Sequence, residues 1–328
     1  MGHLNRVPQP PGIINVKFYG YGLANIKNGY ELNATTYKGF TLVDHTKRIV
    51  FLTHGFISAS TMLNDLKDAL LEHAKWDNYH EVGTVILVDW RAGAFFRNYN
   101  PLQMWDNYRS AAVNTQLVGS EIAYMIGQFA KHLAIDSEQF YLIGHSLGGQ
   151  ASSFAARYVQ RDYGIKIGRI TGLDAAWPCF EGFNGSHLTR EDANFVDGIH
   201  TNIRKANSYS LVDLNGHFGF REPYAHIDFY PAMGEWQPKC LPIFDVECSH
   251  IAAIDYYTYL LSNSICDMWG FKSPNDTKET DSVVGYYADR VDKTITGVRY
   301  AFPTSKPPYC NCSSFCLKYK PPYIPEFI

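Results

Sequence analysis

No apolar run in these 328 residues approaches the roughly 18 needed for a membrane-crossing helix; TVILV at 84–88 is typical of the longest stretches. Basic residues are not in excess either. Lys plus Arg number 29 against 32 Asp plus Glu, a formal net charge of −3, so the positive footprint of a nucleic-acid binder is missing. The stretch from Met1 to Gly12 is polar and Pro-rich and lacks the charged, then apolar, then small-residue order of a signal peptide. Position 6 is Arg, not the Ser or Thr that a myristoylated Gly2 requires. Internal repeats and low-complexity segments are absent, and a 46% hydrophobic content excludes a disordered chain. What is plentiful is aromatic side chains, with 23 Tyr and 20 Phe. There are also seven Cys, an odd number that suggests an oxidising compartment with one thiol left over.

Short β-branched or aromatic runs predict strands at Asn15–Tyr21, Arg48–Leu52, Thr84–Asp89, Phe140–Ile143, Arg169–Leu173, Phe195–His200 and His226–Tyr230. Helical spacing of apolar residues predicts helices at Thr61–Ala74, Ala112–His132, Gln150–Gln160 and His250–Leu261. Strands alternating with helices imply an α/β fold with a mainly parallel sheet covered on both faces. No linker or charge run interrupts Asn15–Phe302, so residues 15–310 read as one catalytic-size domain. Residues 1–14 read as an N-terminal extension and 311–328 as a Cys- and Pro-rich tail.

The strand at Phe140–Ile143 runs into Gly144-His145-Ser146-Leu147-Gly148, a G-x-S-x-G pattern between strand and helix. A sharp turn there lifts the serine hydroxyl off the end of the sheet, and glycines avoid the clashes side chains would make. Serine is a weak nucleophile, so it needs a base, an orienting acid and an oxyanion hole. Thr53-His54-Gly55-Phe56 follows a strand and assigns Phe56 as one oxyanion N–H donor, with Leu147 as the other; His54 receives no proton-transfer role. Asp174 ends the strand ITGLD, where open α/β sheets collect functional groups. The order Ser, Asp, His leaves His187, His200, His217, His226 and His250 as candidate bases, and spacing does not choose among them.

At this point the sequence resembles the pancreatic-lipase family. The matching segments are Thr53–Phe56 (THGF), Val88–Trp90 (VDW), Asn114–Gly119 (NTQLVG), Leu142–Gly149 (LIGHSLGG), Gly168–Asp174 (GRITGLD), Asp192–Thr201 (DANFVDGIHT), His226–Pro231 (HIDFYP) and Cys248–His250 (CSH). The resemblance implies an α/β-hydrolase fold with Ser146 as nucleophile, Asp174 as orienting carboxylate and His250 as general base. It implies Phe56 and Leu147 as the oxyanion donors. The expected function is therefore a secreted carboxylic-ester hydrolase acting on lipids at a membrane surface. A catalytically silent lipid-binding or yolk-like storage protein on the same fold is the alternative, one usually betrayed by a lost triad residue.

The departures from the family pattern are informative. Gly149-Gln150 and Ala175 stand where the family has Ala-His and Pro, and read as packing variants. Family members can hold calcium just before the FVD strand, but in Asn184–Asp192 only Asp192 matches an expected acidic ligand, so no metal and no cofactor are expected. The family lid lies between Cys240 and Cys248, which enclose only the seven residues Leu241–Glu247 (248 − 240 − 1); so short a lid resembles the phospholipase A1 branch more than the triacylglycerol lipases. The segment between Thr201 and His226 is longer than that branch suggests, and its Tyr209, Leu211, Leu214, Phe218 and Phe220 either meet a lipid surface or pack on the body. The family's second domain has no counterpart, so no protein cofactor is expected. Cys240–Cys248 should clip the lid; Cys266, Cys310, Cys312 and Cys316 allow three pairings; Cys179 is the expected free thiol. Sequons at Asn33, Asn184, Asn275 and Asn311 are compatible with secretion.

Overall fold

Strands alternate with helices and join one 11-stranded sheet of order β10-β9-β11-β8-β7-β6-β5-β3-β4-β1-β2. The computed structural model describes residues 6–76, 82–95, 103–180, 185–203, 217–241, 247–262, 266–290 and 294–310. The strands are β1 Lys17–Tyr21, β2 Tyr30–Leu32, β3 Arg48–Thr53, β4 Val82–Asp89, β5 Phe140–His145, β6 Ile167–Leu173, β7 Ala193–Ile199, β8 Ile227–Pro231, β9 Trp269–Ser273, β10 Asp276–Val283 and β11 Gly297–Ala301. The helices are α1 Pro11–Ile14, α2 Asn64–Trp76, α3 Arg91–Ala94, α4 Met104–Leu133, α5 Leu147–Tyr163 and α6 Cys248–Ser262. Strands β4, β3, β5, β6, β7, β8 and β11 pair in parallel, and antiparallel strands finish both edges.

The central strands are continuous apolar runs because both sheet faces are covered. In β3, Ile49 and Phe51 face one core with α4 and α5, whereas Val50 and Leu52 face a second with α2 and α6. The period-2 alternation of a strand thus feeds two cores at once. Every crossover returns to the same end of the sheet, so the loops after β3, β5, β6 and β7 share one edge. That edge is where a doubly covered parallel sheet offers room for a ligand.

The strands and helices expected from the pattern are present with shifted ends: α4 and α5 start earlier than expected, whereas β1 and α2 start two and three residues later. Helix α5 begins at Leu147, three residues before the periodic run, since its first glycines abut the sheet. Strands β2, β9, β10 and β11 and the four-residue helices α1 and α3 were not legible, being short or polar. Residues 6–14 lie against α4. Gln9 donates its backbone N–H to Asn114 Oδ1 (2.9 Å), Asn114 Nδ2 donates to Gln9 Oε1 (2.8 Å) and to the Gly93 carbonyl (3.0 Å), and Ile14 is fully buried.

Cys240–Cys248 forms with Cα atoms 5.7 Å apart, and of the open pairings Cys266 joins Cys310. Cys312, Cys316, Asn184, Asn311, Tyr209, Leu211, Leu214 and positions 242–246 lie outside the described residues. Cys179 is unpaired and half-buried, and burial pushes its thiol up to about 11.

Candidate active site

Ser146 stands between β5 and α5 with φ 56 and ψ −122, a left-handed backbone that only a tight surrounding fold enforces on a non-glycine residue. Its N–H donates to the Leu173 carbonyl (3.1 Å), and its carbonyl accepts from Gly149 (3.1 Å) and Ala176 (3.1 Å). A Cβ on Gly148 would sit 2.0 Å from the Thr53 carbonyl oxygen, so only glycine lets α5 reach the end of β3. Across the turn, a Cβ on Gly55 would lie 2.7 Å from Ser146 Cβ. The loop that carries Phe56 therefore runs directly against the serine.

His54 fixes that loop. A carbonyl only accepts, so the 2.9 Å contact between His54 Nδ1 and the Gly55 carbonyl places the ring hydrogen on Nδ1. Nε2 then accepts from the Trp90 N–H at 3.1 Å. With the Gly55 carbonyl held on one side, planarity turns the Phe56 N–H to the other. Leu147, the first residue of α5, is fully buried and carries one of the unpaired N–H groups of a helix start.

Asp174 follows β6 with φ 46 and is fully buried. Its Oδ1 accepts the backbone N–H groups of Thr201 (2.8 Å) and Asn202 (3.1 Å); its Oδ2 lies 2.6 Å from His250 Nδ1. Of the five histidines left open by spacing, this is the one that meets Asp174. It sits in the first turn of α6 beside the Cys240–Cys248 bridge.

The other four have partners elsewhere. His187 lies against Phe220 (4.7 Å between rings), His200 bonds Asp228, His217 packs on Trp236 (5.7 Å), and His226 accepts from Val196 N–H (3.0 Å).

Several contributors escaped the sequence. His145 Nε2 donates to the His250 backbone carbonyl (3.0 Å), and the two rings lie 4.5 Å apart. Burial, then the neighbouring His250, holds His145 well below the usual histidine range, so it stays neutral. Gln237 ties the acid loop to α6: its Nε2 donates to the Thr201 carbonyl (2.9 Å), and its N–H donates to Ser249 Oγ (3.0 Å). The GHSLG pattern contained His145, but nothing in it showed that α6 returns onto that ring.

Gln150 bridges the Leu188 N–H (2.9 Å) and the Ala176 carbonyl (2.6 Å). It thereby links the first turn of α5 to both neighbouring loops. Phe220 is buried among the core residues and so packs on the body, whereas Phe218 is half-buried with its ring 5.3 Å from that of His250.

The residues at the family's calcium position do not fit that ion. Arg157 donates Nε to Asp192 Oδ1 (2.7 Å), NH2 to the His187 carbonyl (2.6 Å) and NH1 to the Gly185 carbonyl. A guanidinium thus already occupies the oxygen cluster that a hard cation would need. Among the described residues no group of three or more His, Cys, Asp or Glu could hold a metal ion.

A doubly covered, mainly parallel sheet with a strained serine between strand and helix and a carboxylate–histidine couple at the same edge defines an α/β-hydrolase. The chain belongs to the lipase family, whose profile, described as Lipase, matches residues 3–281. It is 34% identical to "Phospholipase A1 2" of Vespa affinis over 90% of this chain and 83% of the relative. It is 35% identical to "Phospholipase A1" of Vespa crabro over 90% and 92%. It is 34% identical to "Pancreatic lipase-related protein 2" of Bos taurus over 82% of this chain and 55% of that protein.

Proposed function

We propose that the protein is a secreted lipid-ester hydrolase with phospholipase A1 activity favoured over triacylglycerol hydrolysis. Ser146 is the nucleophile, His250 the base and Asp174 the orienting carboxylate. The observation that carries this reading is the 2.6 Å contact between His250 Nδ1 and Asp174 Oδ2. A carboxylate accepting on Nδ1 fixes the tautomer and leaves Nε2 able to take a proton. His250 removes the Ser146 proton as Oγ attacks the ester carbonyl, and Asp174 stabilises the imidazolium. The Phe56 and Leu147 N–H groups hold the tetrahedral oxyanion. His250 then protonates the departing alkoxide, water attacks the acyl-enzyme with the same base, and Ser146 is regenerated.

Two further features support a lipid substrate of this class. Only seven residues separate the paired Cys240 and Cys248 (248 − 240 − 1), so the clipped segment is too short to seal the site as a long amphipathic lid would. Ile57 and Phe95 are exposed apolar residues on adjoining loops, joined by the Ile57 N–H to the Ala94 carbonyl (3.0 Å), and Met233 after β8 and Leu241 inside the clipped loop are exposed as well. Exposed apolar side chains of that kind suit an acyl-chain surface. The disulfides fit an oxidising, extracellular setting, and among the described residues no helix is long and apolar enough to cross a membrane.

The test pairs Ser146→Ala with a panel of phosphatidylcholine, phosphatidylserine, triolein and tributyrin, assigning each released fatty acid to its glycerol position. Wild type should release fatty acid chiefly from the first position of the phospholipids. Ser146→Ala should lose about 1,000-fold or more in kcat while keeping its circular dichroism. Substantial turnover by Ser146→Ala would refute the assignment, and triolein as the best substrate would refute the phospholipase preference.

A further inference from the structure

Behind Asp174 lies another histidine–carboxylate pair with no role in the scheme above. We propose that His200 and Asp228 act as a second couple in which His200 carries hydrogens on both ring nitrogens and positions the two backbone walls that hold Asp174. The proposal rests on the reading of Asp174 as the triad acid.

Hydrogen-bond accounting fixes the ring's state. His200 and Asp228 are both fully buried. His200 Nδ1 is 2.7 Å from the Phe220 carbonyl, which only accepts, so Nδ1 carries a hydrogen. His200 Nε2 is 2.8 Å from Asp228 Oδ1. That carboxylate already accepts the N–H of Tyr224 at Oδ1 (3.1 Å) and of Ala225 at Oδ2 (3.0 Å), so both of its oxygens serve as acceptors. An ionised carboxylate only accepts, so Nε2 carries a hydrogen as well.

The surroundings suit a cation. Tyr230 stacks flat on the ring, with centroids 4.3 Å apart and planes 2° from parallel. Tyr224 packs at 5.0 Å, its hydroxyl kept neutral by burial and then by the nearby Asp228, Asp174 and Asp197. Of these acids Asp228 is bonded to the ring, Asp174 lies beyond the end of β6, and Asp197 is paired with Arg169 on the opposite face of the sheet; Arg221 and Glu222 are the further charged groups near Tyr230.

His200 holds Asp174 from two sides, with its backbone on one and its ring on the other. His200 anchors the end of β7 through its N–H to the Phe229 carbonyl (2.8 Å), and the next two N–H groups, from Thr201 and Asn202, are the ones bound to Asp174 Oδ1. The other wall is the strip 218–220. Phe218 N–H donates to Asn202 Oδ1 (2.9 Å), Gly219 N–H to the Asn202 carbonyl (2.9 Å) and Phe220 N–H to the Ala175 carbonyl (2.8 Å). The strip passes so close that a Cβ on Gly219 would lie 2.3 Å from Asp174 Oδ1, and Phe218 meets the His250 ring. Its far end is pinned by the Phe220 carbonyl bond to His200. Removing the Nδ1 hydrogen frees the strip 218–220, and removing the Nε2 hydrogen releases the ring from the Asp228 carboxylate that aims it; either loosens the hold on Asp174 and its aim on His250.

The experiment combines nitrogen-15 histidine NMR with kinetics on soluble p-nitrophenyl butyrate. At pH 7 the wild-type spectrum should contain one histidine protonated on both nitrogens that disappears in His200→Gln. A His200 protonated on one nitrogen only would overturn the proposal, whatever the variants do. Asp228→Asn keeps an oxygen toward His200 but removes the anion. It should lose the doubly protonated signal and about tenfold in kcat, with KM changed less than twofold. Unchanged kcat after loss of that signal would overturn the positioning role. If Asp228→Asn does not fold, His200→Gln takes its place, with the same expected kcat loss and the same overturning result. Ser146→Ala run alongside separates the two readings, because its activity tests the triad while the wild-type spectrum tests His200 independently.

Discussion

His145 joins two jobs in one ring: it precedes Ser146 in sequence and supports His250 in space. Because the ring is buried and lies beside His250, it stays neutral where an unfolded histidine would take a proton, even though its Nε2–H bond to the His250 carbonyl acts the other way. A base whose folded pKa is depressed leaves the unfolded state binding more protons, so stability is lost as pH falls below about 6.5, the unfolded value. The slope contributed by this residue reaches up to about 1.4 kcal/mol per pH unit. His145→Gln keeps an N–H donor and removes the titration. Urea denaturation at pH 7 and pH 5 should show a smaller acid loss in this variant than in wild type; an identical loss would refute the account. Burial also pushes His226 down, with the same sign, which is why the difference between the two proteins is the informative quantity.

At the scale of elements, the loop 185–192 matters because it feeds β7 and touches the elbow through Gln150. Asp192 is buried and its carboxylate is shared by Arg157, Ser153 Oγ (2.9 Å) and the Thr189 N–H (2.8 Å). Arg157→Ala would strand that charge, and a stability loss of about 2–4 kcal/mol is expected, near the cost of breaking a buried pair. Wild type should keep its melting temperature and activity in EDTA, since the cation here is covalent to the chain. A clear fall with EDTA, or a neutral Arg157→Ala, would remove this explanation. A similar device lies in β6, where Arg169 is buried within an apolar strand run. It bonds Asp197 Oδ1 and Oδ2 at 2.9 Å and 3.0 Å and reaches the Gly285 carbonyl at 3.0 Å.

For the whole molecule, the parallel sheet collects the chemistry at one edge, and Ile57 is an exposed apolar residue in the loop that follows β3 there. Substituting Ile57 and Leu241 together by Ser should lower hydrolysis of phosphatidylcholine vesicles about tenfold. The same pair should leave soluble p-nitrophenyl butyrate turnover within twofold, since neither side chain belongs to the triad. Both side chains are exposed, so removing the pair from a lipid surface forfeits roughly 1–2 kcal/mol of burial in all. Equal losses on both substrates would instead place these residues in the folding or the chemistry.

Local patterns determined much of this protein. The apolar runs of β3 to β8 and the helical periodicity of α2, α4, α5 and α6 follow from burial on both faces of a sheet, and GHSLG and ITGLD mark Ser146 and Asp174 where strands end. His250 was legible only through resemblance, because the contact that selects it spans 76 residues of sequence. The edge strands β9 to β11, the Cys266–Cys310 pairing and the Arg157 cluster were likewise decided only when distant segments met. So were the supports of the site, His145 under His250 and His200 behind Asp174. Periodicity records which side of an element is buried. Which polar partner waits there is settled by the tertiary fold, because a buried donor or acceptor must find its complement wherever the chain brings one.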